Sequence, residues 1–347
     1  MLLITGAMGW LGKRLVRLLS DRSFAGTALD VLPPDMKLRC MILPGQDADE
    51  LRAIKAGIEV FAGDLRNPND CRRFCEGAAR ATVFHTAGII HPRRVREFYE
   101  VNTDGTRHLL DAASAAGVKR VVVVSSNSPI GLNPHRDHLF DEESPYHPYM
   151  NYGRSKMLME MAVQEAEKSS RLETVIIRPP WFYGPDQPAR QTLFFSMIRA
   201  GKAPVVGSGD NLRSMAYVDN LCQGLVLAAF TESARGQIYW IADDQPYSMN
   251  EVLDTVERLL EEEFHLAVAH KRLRLPGIAS EFAMLMDATL QKLGLYEQKI
   301  HVLSEMNKTI ACSVGKARRE LGYRPAIALE EGMRRSLQWC LDHGIRI

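Results

Sequence analysis

The 347-residue chain is poor in the features that mark several large protein classes. It has no excess of charge: 43 basic and 42 acidic residues leave a formal net charge of +1. So balanced a chain has no field to gather nucleic acid or an anionic surface, and neither is expected as a partner. Long apolar runs are missing. The nearest, residues 275–295, is interrupted by Glu281, Asp287, Gln291 and Lys292, which excludes a bilayer-spanning helix. A core or pocket-lining helix is expected there, with association at a membrane surface as the alternative. The six cysteines (Cys40, Cys71, Cys75, Cys222, Cys312 and Cys340) lack metal-ligand spacing. Cys71 and Cys75, four apart, read as small residues on one face of a partly buried helix. Free cysteines, and an N-terminus that opens on Met1-Leu2-Leu3-Ile4-Thr5-Gly6 without a basic leader, point to a reducing, cytoplasmic setting. Internal repeats and low-complexity linkers are also absent.

What is present is alternation. Short β-branched runs at 2–5, 38–43, 59–62, 82–86, 120–125 and 173–177 alternate with amphipathic stretches such as 11–20, 97–116 and 152–169. This pattern predicts an α/β fold with a Rossmann-type doubly wound parallel sheet whose strands are buried on both faces. After Arg178-Pro179-Pro180 the texture changes to loops and turns, with later helices near 250–264, 279–294, 314–321 and 329–343. A dinucleotide-binding domain over 1–177 is therefore expected, with segments near 214–242 returning to it. A smaller, mainly C-terminal substrate lobe takes up 178–347. The connection 21–34, which holds Pro33-Pro34, is longer than such a link requires.

Thr5-Gly6-Ala7-Met8-Gly9-Trp10-Leu11-Gly12 joins the first strand to the first helix. Its GxxGxxG spacing permits a tight turn and lets a pyrophosphate approach the helix N-terminus. Gly6, Gly9, Trp10, Leu11 and Gly12 are thus candidate cofactor residues. Asp64-Leu65, at the end of the third strand, can meet the adenine, although an acid there also caps the following turn. Thr86-Ala87-Gly88 offers small residues where cofactor and backbone come close. The segment after the second strand, Leu43-Pro44-Gly45-Gln46, has neither an acid for the ribose hydroxyl nor a base for a 2′-phosphate. Lacking a phosphate partner, it favours NAD over NADP.

Tyr152 and Lys156 stand four apart, on one face of a helix. A nearby cation favours the phenolate, which makes the tyrosine a general acid–base. The strand ending in Val124-Ser125-Ser126 can add a hydroxyl that binds a reacting alcohol or ketone.

With TGxxGxxG, Asp64-Leu65, Asn102-Thr103-Asp104-Gly105-Thr106, Ser126, YxxxK, and Arg178-Pro179 with Tyr183-Gly184-Pro185 in this order, the chain resembles an extended short-chain dehydrogenase/reductase. The similarity covers nearly the whole chain and lies in the broad group of nucleotide-sugar epimerases and 3β-hydroxysteroid dehydrogenases. It implies Ser126, Tyr152 and Lys156 as the catalytic triad, with Ser126 preferred over Ser125 by its place five residues before Gly131. Lys156 would also bind the nicotinamide ribose. Asn102 and the loop beginning at Pro179 would contact the nicotinamide side.

Asn127 and Ser128 replace the acidic pair usual in family dehydratases, which disfavours a 4,6-dehydratase. Trp10 replaces a more usual phenylalanine and is expected to pack under the helix. Arg213, after the glycine-rich stretch 207–209, is the candidate substrate residue, able to pair with a diphosphate; a solvated turn arginine is the alternative. Residues 84–92 and 317–323 look closer to the hydroxysteroid dehydrogenase-like branch. The histidines His85, His91, His135, His138 and His147 are not read as metal ligands, and the loop 133–148 is placed to cover the active site. A sugar-nucleotide epimerase or reductase leads the readings of a small-molecule substrate. A cyclic-alcohol oxidoreductase and a non-catalytic NAD(P) sensor are the alternatives. The resemblance also implies a homodimer through the helices over 97–116 and 152–169.

Overall fold

The computed structural model describes residues 1–22, 32, 36–169 and 172–347; most of the long connection expected at 21–34 lies outside them. Seven parallel strands form the central sheet: β1 (Leu2–Thr5), β2 (Leu38–Ile42), β3 (Glu59–Ala62), β4 (Thr82–His85), β5 (Arg120–Val124), β6 (Glu173–Arg178) and β7 (Ile238–Trp240). Their spatial order is β7-β6-β5-β4-β1-β2-β3, so the Rossmann-type fold expected from the sequence is present. Chain direction across the sheet reverses between β1 and β4, where Thr5 lies in register with His85. In such sheets this reversal opens a crevice at the strands' C-terminal ends.

Alternate residues of a strand point to opposite faces, and here both faces are dry. Ile4, Val122, Val124 and Ile177 belong to one apolar cluster, and Leu3, Val83, Val123 and Ile176 to another. The helices that matter for the site are α1 (Trp10–Asp21), α2 (Gly105–Ala115), α3 (Met150–Ser169), α4 (Val218–Phe230), α5 (Ile278–Lys292) and α6 (Gln298–Glu305).

A third cluster, with Phe195, Tyr217, Leu253 and Leu337 among its members, forms the core of the C-terminal part. Segments near 214–242 were expected to return to the sheet, first around 215–218 and then around 237–242, and the second supplies β7. The first, Met215–Tyr217, pairs instead with Trp181–Tyr183 beside the sheet. The helix expected over 97–116 is continuous but changes pitch: Tyr99–Asp104 is a π turn between α-helical segments.

Helix α5, expected as a core or pocket-lining helix, is not a core helix. Its buried positions are Ser280, Ala283, Asp287 and Gln291, while Ile278, Phe282, Leu285 and Met286 are exposed. Its inward positions are mostly polar because they are bonded: Ser280 Oγ donates to the Leu303 and Ser304 carbonyls, and Gln291 Nε2 to Asp287 Oδ1.

Candidate active site

The glycine loop is shaped by space as much as by conformation. Gly6 adopts φ +69°, and a Cβ there would lie 2.7 Å from Ala87 Cα. A Cβ on Gly12 would lie 2.1 Å from Gly6 O, so α1 rests on the loop through a missing side chain. Thr86 Oγ1 donates to Thr5 O at 2.7 Å, holding the segment after β4 against the loop. His85 is fully buried between Thr5 Oγ1 (2.7 Å) and Thr106 Oγ1 (2.8 Å). Burial, with the nearby Lys156 charge, pulls its pKa down to about 3, so it is a neutral structural residue.

Trp10 does more than pack under its helix. Its Nε1 donates to Pro185 O at 2.6 Å and its ring lies against Phe182 at 4.7 Å, tying the glycine loop to the chain beyond β6. Leu11 and Leu65 are buried. Asp64 carries out the turn-capping alternative: its Oδ1 accepts from Arg66 N at 2.9 Å and its carboxylate pairs with the Arg66 guanidinium. Those bonds hold it below the usual carboxylate range, against partial burial.

Beyond β5 the two serines part company. Ser125 turns inward and its Oγ donates to the fully buried Glu160. Ser126 Oγ faces Ser128 Oγ at 3.3 Å and lies near enough to the Tyr152 hydroxyl to favour its phenolate. Burial pushes Tyr152 up to about 12, while Ser126 and the Arg190 charge pull down and Glu305 pushes up.

Lys156 is buried, and its Nζ donates to Val124 O at 2.9 Å, at the very end of β5. Burial draws it down to about 8, with Glu160 opposing. Asn102 lies in the π turn, at the position such turns often give to functional side chains. Its Nδ2 donates to Ile89 O (3.0 Å) and Ser155 Oγ (3.1 Å), and its Oδ1 accepts from Ile89 N (2.8 Å). It thereby clamps the segment after Gly88, whose Cα faces Lys156 Nζ. Pro179 is buried directly after β6. Ser126, Tyr152, Lys156, Asn102 and Gly88 are thus brought together, with the glycine loop alongside through Thr5 and Ala87. Asp64 and Leu65 stand further along the sheet, after β3.

Arg213 is not a solvated turn residue. Its NH2 donates to Glu305 O at 2.5 Å, and its Nε is buried without a hydrogen-bond partner. Burial pulls its pKa down, with Glu305 and Tyr149 opposing.

The wall beside Tyr152 is carried by α5, for which a core or pocket-lining helix was expected, and by the residues after it and α6, which the sequence pattern did not mark. Phe98 packs on Tyr152 (5.6 Å between rings) and on Tyr296 (5.4 Å), and Tyr296 OH pairs with His91 Nδ1 at 2.8 Å. Behind them His301 Nδ1 bonds Asp287 Oδ2 at 2.7 Å, and Tyr149 OH bonds Ser304 Oγ at 2.6 Å. Gln291 Oε1 accepts from Asn151 N and Nδ2, both at 3.0 Å, which fastens α5 to the first turn of α3.

Glu160 was also missed, although it continues the four-residue spacing of Tyr152 and Lys156. It accepts from Ser125, from Tyr146 OH at 2.8 Å and from Arg178 NH2 at 2.7 Å. The loop 133–148 is anchored rather than loose: Asn133 bonds Ala311 both ways and Glu142 Oε1 accepts from Trp240 N. Among the described residues, no three His, Cys, Asp or Glu side chains gather as metal ligands.

Residues 2–242 match the family model of the NAD-dependent epimerase/dehydratase family. The uncharacterized protein y4nL of Sinorhizobium fredii is 53% identical over 346 residues, covering 99% of this chain and 96% of its own. The 3β-hydroxysteroid-dehydrogenase/decarboxylase isoform 1 of Arabidopsis thaliana is 29% identical, over 96% of this chain and 78% of its own. Among solved structures, UDP-glucose 4-epimerase from Thermotoga maritima, with UDP-glucose, superposes with a TM-score of 0.76 at 19% identity, over 99% of both chains. That likeness speaks for the fold. The chain belongs to the NAD-dependent epimerase/dehydratase family, and with it to the extended short-chain dehydrogenases/reductases.

Proposed function

We propose that the chain moves a hydride between a nicotinamide dinucleotide and a secondary alcohol or ketone carbon. Residues 1–177, with the segments near 214–242, would hold the cofactor, and 178–347 the substrate. The observation that carries this reading is the convergence of Ser126, Tyr152 and Lys156 at the C-terminal end of β5, beside the crevice between β1 and β4.

The residues present fit a dinucleotide. Helix α1 begins on Gly9 with no side-chain cap, so its first-turn N–H groups are available to a pyrophosphate. Gly6 and Gly12 let the backbone approach closely. Gly88, Asn102 and Pro179 would border the nicotinamide side, and Asp64 and Leu65 the adenine side. NAD is favoured over NADP because no basic residue stands at 43–46, where Gln46 Oε1 instead accepts from Leu43 N at 2.9 Å. Bound there, the nicotinamide supplies or accepts the hydride.

Tyr152, protonated across the neutral range, donates its proton to a ketone oxygen during reduction. In oxidation it must act as phenolate, a charge that Ser126 and the Arg190 guanidinium favour, and the proposal assigns Lys156, one turn along α3, to add to that. Ser126 holds the substrate oxygen in line with the tyrosine. The buried Glu160 keeps Lys156 charged further up the pH scale than burial alone allows.

For substrate we favour a cyclic alcohol of hydroxysteroid type. The rings of Phe98 and Tyr296 gather at Tyr152, and several whole-chain relatives at 27–29% identity are 3β-hydroxysteroid dehydrogenases. A nucleotide sugar is the second reading, supported by the Arg213 Nε that lacks a partner and could take a phosphate oxygen. A homodimer through α2 and α3 belongs to the same proposal; Met161 on α3 is half exposed.

The test screens cyclic alcohols and ketones against nucleotide sugars with NAD(H) and NADP(H), alongside Tyr152→Phe. Wild-type turnover that falls at least a thousandfold in the variant, with cofactor binding retained, supports the proposal. Undiminished turnover in the variant overturns it. Activity confined to nucleotide sugars selects the second reading.

A further inference from the structure

Helix α5 is amphipathic in the wrong sense for a helix facing water. Ile278, Phe282, Leu285 and Met286 lie within one outward arc at helical spacing, and the first three are 60–67% exposed. Leu293 (71%) and Leu295 (51%) extend the stripe past the helix end. Leu273, on the short strand before the helix, prolongs it at the other end. An ordinary surface helix turns such a face to the core. Here the inward positions are taken up by Ser280, Asp287 and Gln291, whose hydrogen bonds to α6 and α3 fix the helix in this orientation. The outer face cannot roll inward without breaking them.

The rim of this face is basic. Arg93, Arg94, Arg274 and Lys292 are all exposed, and none forms an ion pair among the described residues; one exposed acid, Glu297, follows Leu295. Arg94 bridges Leu295, and Val95 N donates to Gly294 O at 3.1 Å, so the arginines stand at the end of the stripe. The acid of the outer face, Glu281, is already paired with Lys308. In a chain of net charge +1, this is a local concentration of unpaired cations around an apolar stripe.

We propose that the outward face of α5 docks on an anionic lipid bilayer, with the helix lying in the plane of the interface. Apolar side chains enter the headgroup–acyl boundary and the basic rim meets the lipid phosphates, as in interfacial amphipathic helices. A second copy of the chain fits less well: a two-fold contact through this face would set the basic rim against itself. Docking is peripheral, since no helix among the described residues is long and apolar enough to cross a membrane. It also gives the site a direction. Leu295 belongs to the stripe and the next residue, Tyr296, to the wall opposite Tyr152, so the docked face adjoins the cleft. This inference does not depend on which substrate the cleft takes.

The test is flotation of the full chain, without cofactor or substrate, with phosphatidylcholine vesicles and with phosphatidylcholine–phosphatidylglycerol vesicles. The expected result is binding to the phosphatidylglycerol vesicles that weakens as salt is raised. The double variant F282S/L285S should bind at least tenfold more weakly, and R274S/K292S should lose most of the salt dependence. All four residues are exposed, so unchanged thermal denaturation confirms the fold of each variant. Failure of the wild type to float with the anionic vesicles overturns the proposal, as does equal binding by F282S/L285S. A wild-type dimer in sedimentation that becomes monomeric in F282S/L285S, without vesicle binding, overturns it in favour of a second copy.

Discussion

The crevice at the end of β1 and the wall built by α5 and α6 face the same residue, Tyr152, and are constructed on opposite terms. In the crevice the backbone decides. Gly6 and Gly12 are required because a Cβ would strike the neighbouring chain, and the strands behind them are apolar on both faces. In the wall side chains decide: Asp287, Gln291, His301 and Ser304 are buried and satisfied by one another, while leucines and a phenylalanine look outward. The crevice tolerates almost no added atom. The wall depends on pairings that single substitutions can loosen without collision.

The largest effect is therefore expected in the crevice. Gly12→Ala puts a methyl about where Gly6 O now sits, and neither α1 nor the loop can give way without losing the other. We expect dinucleotide affinity to fall by two orders of magnitude or more, with a stability loss of about 3 kcal/mol from overpacking. Isothermal titration and urea denaturation measure both. Affinity within threefold of wild type would show that the loop is softer than its contacts imply.

Next in size is the junction between the two regions. Glu160 is fully buried and compensates Arg178, with Lys156 one turn away. Glu160→Gln removes one partner of a buried ion pair, which costs about 3–5 kcal/mol. Lys156 also loses the charge that holds its pKa up, so the alkaline limb of the rate profile should move to lower pH. A destabilisation without that movement would mean that Glu160 serves Arg178 alone.

This contrast explains what was legible in the sequence. The strands, the glycine loop and the Tyr152–Lys156 pair could be read because backbone geometry restricts which residues can stand there. Helix α5 was located nearly to the residue, yet its outward apolar face could not be read, since an apolar pattern does not say which face is satisfied. Helix α6 gave no signal because its buried positions are His301 and Ser304. Helix α4 was hidden for a different reason: it is apolar almost all round, with Asp219, Asn220 and Gln223 buried among its aliphatic residues. The roles of Glu160 and Tyr296 depend on partners distant in sequence, which spacing along one element cannot reveal.

The wall itself is tested through Asp287. Burial lowers the His301 pKa, but the hydrogen bond from Asp287 and the charges of Glu305 and Asp287 outweigh it, so the net shift is upward. A raised folded-state value contributes stability that is complete below the unfolded pKa, near 6.5. That contribution is lost as pH rises through the folded value. Asp287→Asn should therefore cost about 2 kcal/mol in mild acid and distinctly less in mild alkali, where the imidazole is neutral in both proteins. Denaturation at the two pH values gives the comparison. An equal cost at both would show that the pair acts only as a neutral hydrogen bond.

The smallest effect is expected where the glycine loop reaches across to the chain beyond β6. Trp10 Nε1 donates to Pro185 O, and its ring lies on Phe182. Trp10→Phe keeps an aromatic face and removes the donor, leaving one carbonyl short of a partner for about 1 kcal/mol. If the bond only packs the loop, stability falls by that amount and the KM for cofactor stays put. If it positions the loop, that position depends on Pro185, six residues beyond Pro179, and the KM for cofactor should rise a few-fold while kcat is kept. We expect the second outcome, because Leu11 and Gly12 already anchor the helix and the indole N–H has no other function in the loop. Steady-state kinetics on Trp10→Phe then measures how far the backbone-built crevice relies on the chain beyond β6.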